Sequence, residues 1–414
     1  MFITLGSYGD VLPMLCIAKQ LSQNGEKVFF LSNGYFEYLF TNNDIEFLRL
    51  SSSQEYESLI NSVDVNRSYE LGSALINYLL LDPLEPILEY LGKISSDGNI
   101  VLVANGTNIG ARLYHDKTNC DFVSAYFAPC VLPSSHFFPR LFKYHLARFL
   151  PLTIKKGSLK LFSFFLNSLL LSKVNRLRSL SGLPKSENIL DLFHSSQSII
   201  GLYPQRFLGV TPSDWPSQFR AIAFPMFDDN LDISKSLESF LNRGSEPILV
   251  CRGTPNTRVE EFMKNASRAI RNLNERAILV SGNFINKLSS KDENIFYSNF
   301  LSYSRVIPRC KAVIHHGGIG TSAQCLRAGV PQLIAPWGVD QWDNSMRLRD
   351  LGVALELNTQ KGLRLNLEHK LNQLLKNDQI SRKSIEIAQF KDDYLGAERA
   401  AQYLIQFRHQ RTSK

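Results

Sequence analysis

Short apolar runs recur along the chain, each entering a polar or glycine-bearing turn and each followed by a stretch whose apolar positions lie three or four residues apart. Residues 2–5, 28–31, 47–50, 100–103 and 122–125 read as strands, and the helical pattern around Leu15, Ile17, Ala18 and Leu21, then residues 74–91 and 109–114, as helices between them. Strands that alternate with helices make a parallel sheet covered on both faces. Residues 131–183 break the rhythm with an apolar, basic, helix-like insertion, after which residues 198–201 resume it. The acidic turn that follows Pro225 marks the expected boundary, giving a first domain over 1–228 and a linker over 229–245. A second series follows in 246–395, with strands at 248–251, 277–281, 312–314 and 332–335 and helices at 259–273, 305–310, 367–375 and 381–390. A last helical stretch occupies 396–414. The expected fold class is α/β, with two doubly wound parallel-sheet, Rossmann-like domains facing across a cleft.

Composition changes this picture in one place. The 414 residues are 44% hydrophobic, enough for two cores, and the formal net charge is +8. That excess is local: no carboxylate occurs between Asp121 and Glu187, while ten Lys and Arg do. Apolar residues interleave with these cations as in interfacial helices, so the stretch reads either as lying on an anionic membrane or taking a lipid tail, or as a solvated basic face. Phe162, Phe164, Phe165 and Leu169 to Leu171 are too many apolar side chains for a purely solvated face. Nucleic acid is set aside, because no binding motif accompanies the charge. The run 161–171 is shorter than the roughly 18 residues of a membrane span. Six cysteines lack C-x-x-C spacing, so neither zinc nor a disulfide framework is indicated. The N-terminus lacks a basic leader, which makes a cytoplasmic protein the expectation. Its first strand is short against the usual five or six residues, so a few residues upstream of Met1 are also expected.

The candidate chemistry gathers at His315-His316-Gly317-Gly318-Ile319-Gly320-Thr321. An apolar strand enters this cluster and a helical run leaves it, which puts backbone N–H groups and a positive helix end at one point suited to phosphate. Thr321 adds a hydroxyl and His316 an imidazole. The next strand delivers Asp340, Gln341 and Asn344, acceptors and amides suited to a polyol tethered to a diphosphate. Gly253 and Thr254 follow another strand on the same edge and read as further phosphate donors or as a plain capped turn. Phe300 reads as a ring stacked on a nucleobase or as core. Asp10, on the first glycine turn, reads as a general base or as a helix cap, and spacing alone favours the cap. No metal-binding or Walker-type motif is present, so no metal cofactor is called for.

These residues carry a resemblance. Gly6-Ser-x-Gly-Asp10-Val-x-Pro13, with His316-Gly-Gly-x-Gly-Thr321 and Asp340-Gln341-x-x-Asn344, resembles the inverting, nucleotide-sugar-dependent UDP-glycosyltransferase family of GT-B fold. Leu84-Glu-Pro, Gly110-Ala-Arg112, Tyr203-Pro204, Asp214-Trp215-Pro216 and Phe224-Pro-x-Phe-Asp228 are similar to its lipid-acceptor members, above all the rhamnosyltransferase of rhamnolipid synthesis, and more distantly to sterol and antibiotic glycosyltransferases. The resemblance implies an acceptor-binding first domain, a donor-binding second domain and a final helix crossing back to the first. It implies Asp10 as the base, Phe300 against the nucleobase, His316 (or His315, one register off) and Thr321 on the diphosphate, and Asp340 and Gln341 on the sugar. The assisting carboxylate of many members falls near Ala104-Asn105 and is absent here. Ser302 replaces the usual proline after the stacking aromatic. The expected function is metal-independent transfer of a hexose or deoxyhexose from a UDP- or dTDP-linked sugar to a hydroxyl of a lipid-like or other hydrophobic acceptor. A nucleotide-sugar epimerase and a non-catalytic lipid- or nucleotide-sugar-binding subunit are the alternatives.

Overall fold

A computed structural model describes residues 1–41, 44–62, 80–94, 100–136, 150–228, 232–251, 257–280, 292–338, 340–358 and 363–412 of the chain. Its contacts divide the described residues into two units: those up to Pro225 together with the segment from Leu395 onward, and those of Met226–Tyr394.

The first unit holds a seven-stranded sheet: β1 (Phe2–Ile3), β2 (Val28–Asn33), β3 (Ile45–Ser51), β4 (Val101–Asn105), β5 (Asp121–Tyr126), β6 (Ser198–Gly201) and β7 (Phe219–Ala221), in the order β3-β2-β1-β4-β5-β6-β7. The second holds β8 (Ile248–Cys251), β9 (Ala277–Val280), β10 (Ile295–Ser298), β11 (Ala312–His315), β12 (Gln332–Ile334) and β13 (Ala354–Glu356), in the order β10-β9-β8-β11-β12-β13. All pairings are parallel. Burial on both faces explains the unbroken apolar runs: Ile248 and Val250 enter one core cluster of the second unit, Leu249 and Cys251 the other. The order in which successive strands are added reverses between β1 and β4 in one sheet and between β8 and β11 in the other, where open α/β sheets bind ligands.

Four stretches differ from their sequence reading. The linker segment contains a helix, Lys235–Asn242, whose Leu237, Phe240 and Leu241 pack beneath β8 and β9. Three edge or near-edge strands, β7, β10 and β13, were not legible, being only three or four residues long. Of the helices, α1 (Tyr8–Gln23) follows β1, and α2 (Leu152–Leu180) forms most of the described part of the basic insertion. Leu166, Leu170, Val174 and Leu177 anchor α2 on Leu113 and Ile189, whereas Leu161, Phe162, Phe164, Phe165 and Leu169 are exposed. In the second unit α3 (Ile319–Ala328) follows β11 and α4 (Gln341–Asp350) follows β12. The last helix, α5 (Gly396–Thr412), lies on α1; there Tyr403 bonds Ser198 at 2.7 Å and Arg408 pairs with both carboxylate oxygens of Glu26.

Candidate active site

The β11–α3 turn is built by backbone chemistry. Gly317 has φ +93°, and a Cβ there would stand 2.9 Å from Ile334 Cγ2 and 3.1 Å from the Gln341 carbonyl, so only glycine fits. Gly318 is the N-cap of α3 and no side chain caps the helix, which leaves the first-turn amides facing outward. Beyond Gly320 the space is open. His316 lies against Gly318, its Nε2 2.5 Å from where a Cβ would be, and Thr321 is half-buried in the first turn. This arrangement presents amides, a hydroxyl and an imidazole to one place, a set of donors for an anion.

The doubled histidine is separated by its neighbours. His315 is buried: its Nδ1 accepts from the Gly317 N–H at 3.1 Å, so Nε2 carries the proton and donates to Gln332 Oε1 at 2.9 Å. Burial, with His316 beside it, pushes its pKa down to about 3. His315 is therefore a neutral brace under the turn, and the outer position belongs to His316.

The Asp340 motif is tied to the same turn. Asn344 is fully buried; its Nδ2 donates to the Gly317 carbonyl at 3.0 Å and to Asp340 Oδ2 at 2.8 Å. Asn344, read from the sequence as a donor contact, is thus also a strut between the two motifs. Gln341 folds back so that Oε1 accepts from the Trp337 N–H at 2.9 Å. Asp340 and Gln341 are half-buried at the start of α4. Phe300, after β10, is 64% exposed, so its ring is available for stacking and is not core. Gly253 and Thr254 lie outside the described residues.

In the first unit the turn after β1 carries Asp10. The helix cap is Ser7, and Asp10 occupies the third helical position of a capping box. Both bonds to its carboxylate, from the Ser7 N–H at 2.7 Å and the Ser7 hydroxyl at 3.2 Å, fall on Oδ2; among the described residues no group bonds Oδ1. Burial pushes the Asp10 pKa up to about 6, against the two Ser7 donors that lower it. One oxygen is held and the other is open, with an affinity for protons suited to a base near neutral pH.

Sequence reading missed the groups beside Asp10. Tyr8 packs edge-on against Phe36 and bonds Tyr38 hydroxyl to hydroxyl at 2.8 Å; Tyr38 is 56% exposed. Both stand on the edge where β1 and β2 end, and the run Gly34–Phe40 could have signalled them by its aromatic density. At the end of β4, beside β1, Asn105 Oδ1 and Asn108 Nδ2 are buried without a partner.

Residues 270–396 match the family described as Erythromycin biosynthesis protein CIII-like, C-terminal domain. The chain is 33% identical over 189 residues, 44% of its length, to O-mycaminosyltylonolide 6-deoxyallosyltransferase of Streptomyces fradiae, and 25% identical over 385 residues, 86% of its length, to Sterol 3-beta-glucosyltransferase of Debaryomyces hansenii. The alignments span 43% and 23% of those relatives' own lengths, less than half of either. The glycotransferase of kitacinnamycin superposes with a TM-score of 0.76 at 16% identity, covering 98% of both chains. The glycosyltransferase VinC in complex with DTDP superposes with 0.71 at 15% identity, covering 99% of this chain and 100% of its own. These relatives and structural neighbours are glycosyltransferases by name. The chain therefore has the GT-B fold of the glycosyltransferases, and its residues 270–396 are similar to the EryCIII-like C-terminal domain.

Proposed function

We propose that the chain is an inverting glycosyltransferase that moves a hexose or deoxyhexose from a UDP- or dTDP-linked sugar to a hydroxyl of a hydrophobic, lipid-like acceptor. The observation that carries this reading is the uncapped N-terminus of α3, set at the switch point of the second sheet and flanked by His316 and Thr321. The dTDP bound to VinC supports a nucleotide diphosphate as donor, and relatives named for macrolide and sterol transfer support a small hydrophobic acceptor.

In this reading the second unit holds the donor and the first the acceptor. Asp10 takes the acceptor's hydroxyl proton on Oδ1 as that oxygen bonds the anomeric carbon. The bond from that carbon to the diphosphate oxygen breaks on the opposite face, inverting the centre. Negative charge grows on the leaving diphosphate, where the α3 amides, the Thr321 hydroxyl and His316 stabilise it; each such donor contributes about 3 kcal/mol in preorganised sites. Asp340 and Gln341 orient the sugar and Phe300 stacks on the base. The protein is cytoplasmic in this reading and meets its acceptor at the inner membrane face.

Two measurements test it. Calorimetry with UDP, dTDP and GDP reads donor preference. Incubation with labelled nucleotide sugars, with and without a lipid extract, separates the outcomes: acceptor-dependent product supports transfer, product without acceptor means an epimerase, and binding without product means a non-catalytic subunit.

A further inference from the structure

Helix α2 presents an outward face that a solvated helix does not carry. Leu161 is 69% and Phe164 71% exposed, and Ile154, Phe162, Phe165 and Leu169 are exposed beside them. At 3.6 residues per turn the anchoring residues Leu166, Leu170, Val174 and Leu177 form one stripe, and Leu161, Phe165 and Leu169 lie on the side away from it. Lys160 and Lys173 fall on opposite margins of that apolar side, and Arg176 at its end. Along α2 there is no carboxylate. Among the described residues Lys156, Lys160, Lys173 and Arg176 form no ion pair, whereas Arg178, turned inward, pairs with Asp116 at 2.6 Å.

We infer that the outward face of α2 docks on an anionic lipid bilayer, its leucine and phenylalanine side chains entering the headgroup and acyl boundary while the margin lysines reach lipid phosphates. The inference deepens the membrane part of the proposed function and rests on it. Charge complementarity selects the partner. A second copy of the chain would bring like-charged margins together, and a nucleic acid would leave the phenylalanines in water, whereas an anionic bilayer satisfies both rows at once. Among the described residues no helix is long and apolar enough to cross a membrane, so α2 lies on the surface and does not span it.

The test is co-sedimentation of the full chain with phosphatidylcholine vesicles, with and without phosphatidylglycerol, over a range of salt. Three proteins are compared: wild type, Leu161→Asp/Phe164→Asp, and Lys156→Glu/Lys160→Glu/Lys173→Glu. All five positions are on the helix surface, and dTDP affinity together with transfer to a water-soluble acceptor reports that each variant is folded. Wild type is expected to bind the anionic vesicles about tenfold more tightly than the neutral ones, weakening as salt rises. The apolar variant should lose binding to both vesicles by about tenfold or more. The lysine variant should lose the preference for phosphatidylglycerol. Equal binding to both vesicles by wild type, or unchanged binding by the apolar variant, overturns the inference. So does a lipid-free dimer that Leu161→Asp/Phe164→Asp dissolves, because the second copy is then the occupant. Should no donor support transfer while the vesicle results hold, the enzyme reading fails and the docking face stands.

Discussion

The Asp10 carboxylate lies directly over Gly6: a Cβ added at Gly6 would stand 2.3 Å from Asp10 Oδ2 and 2.7 Å from its Cγ. Gly6 also has φ +120°, a conformation that favours glycine. The position of the proposed base is therefore set by the absence of a side chain four residues earlier. Gly6→Ala should displace the carboxylate, lowering kcat/KM about a hundredfold and stability by about 1–3 kcal/mol. Steady-state kinetics and a denaturant titration check both, and undiminished kcat/KM would detach the carboxylate from the chemistry.

Asp10→Asn should reduce transfer by a factor of about 10²–10⁴ and leave nucleotide affinity unchanged. Wild-type kcat/KM should fall as pH drops through about 6, where the carboxylate protonates. The stability sign is the reverse. A carboxyl whose folded pKa exceeds its ordinary 3.8 favours the protonated folded chain, so stability is lost as pH rises from about 4 to about 6. Asp10→Asn should therefore melt no lower than wild type at neutral pH, which calorimetry reads directly.

The two histidines should part in mutation. His316→Ala should lower transfer about 10²–10³-fold with an unchanged melting temperature, as loss of a charge-stabilising donor. His315→Ala should cost about 1–3 kcal/mol of stability, because the Gly317 N–H and Gln332 lose their buried partner. With its pKa held down to about 3, His315 also favours the folded chain above its ordinary 6.5, and that contribution fades as pH falls from about 6.5 towards 3. A pH series of melting curves for wild type and His315→Ala isolates this dependence.

Asn344→Ala should weaken donor binding. It cuts the bonds to Gly317 O and Asp340 Oδ2, and about 1–3 kcal/mol of stability goes with the stranded groups. Calorimetric titration with dTDP, set beside an unfolding curve, tells this strut from a direct contact, which would cost affinity and leave stability intact.

Tyr38→Phe keeps the ring and removes the hydroxyl that meets Tyr8. The acceptor KM should rise about fivefold, the equivalent of one hydrogen bond, while donor affinity stays the same. A change in donor affinity and none in acceptor KM would remove the Tyr8–Tyr38 pair from the acceptor side.

Most of the strand–helix alternation was legible because strands buried on both faces must be apolar throughout, as β8 and β9 are. The short strands β7, β10 and β13 gave no comparable signal: three or four residues are too few to show a period, and β7 and β13 are only partly buried. Helix Lys235–Asn242 was missed because its amphipathic pattern is brief and follows an acidic turn. On α2 the excess of apolar residues was visible beforehand, but not its division into an anchored stripe and an outward face.

Local backbone chemistry is written in the chain itself. A glycine where φ is positive, at Gly6 and Gly317, and an uncapped helix start after an apolar strand need only neighbouring residues, so the turn and the two-sheet plan follow from sequence order. Burial and partners are not local. Which histidine braces the turn depends on Gln332, 17 residues further on, and the task of Asn344 depends on the Gly317 carbonyl 27 residues before it. The proton affinity of Asp10 depends on how deeply the tertiary packing buries its carboxylate, because desolvation acts through everything that surrounds the charge and not through the residues beside it in sequence.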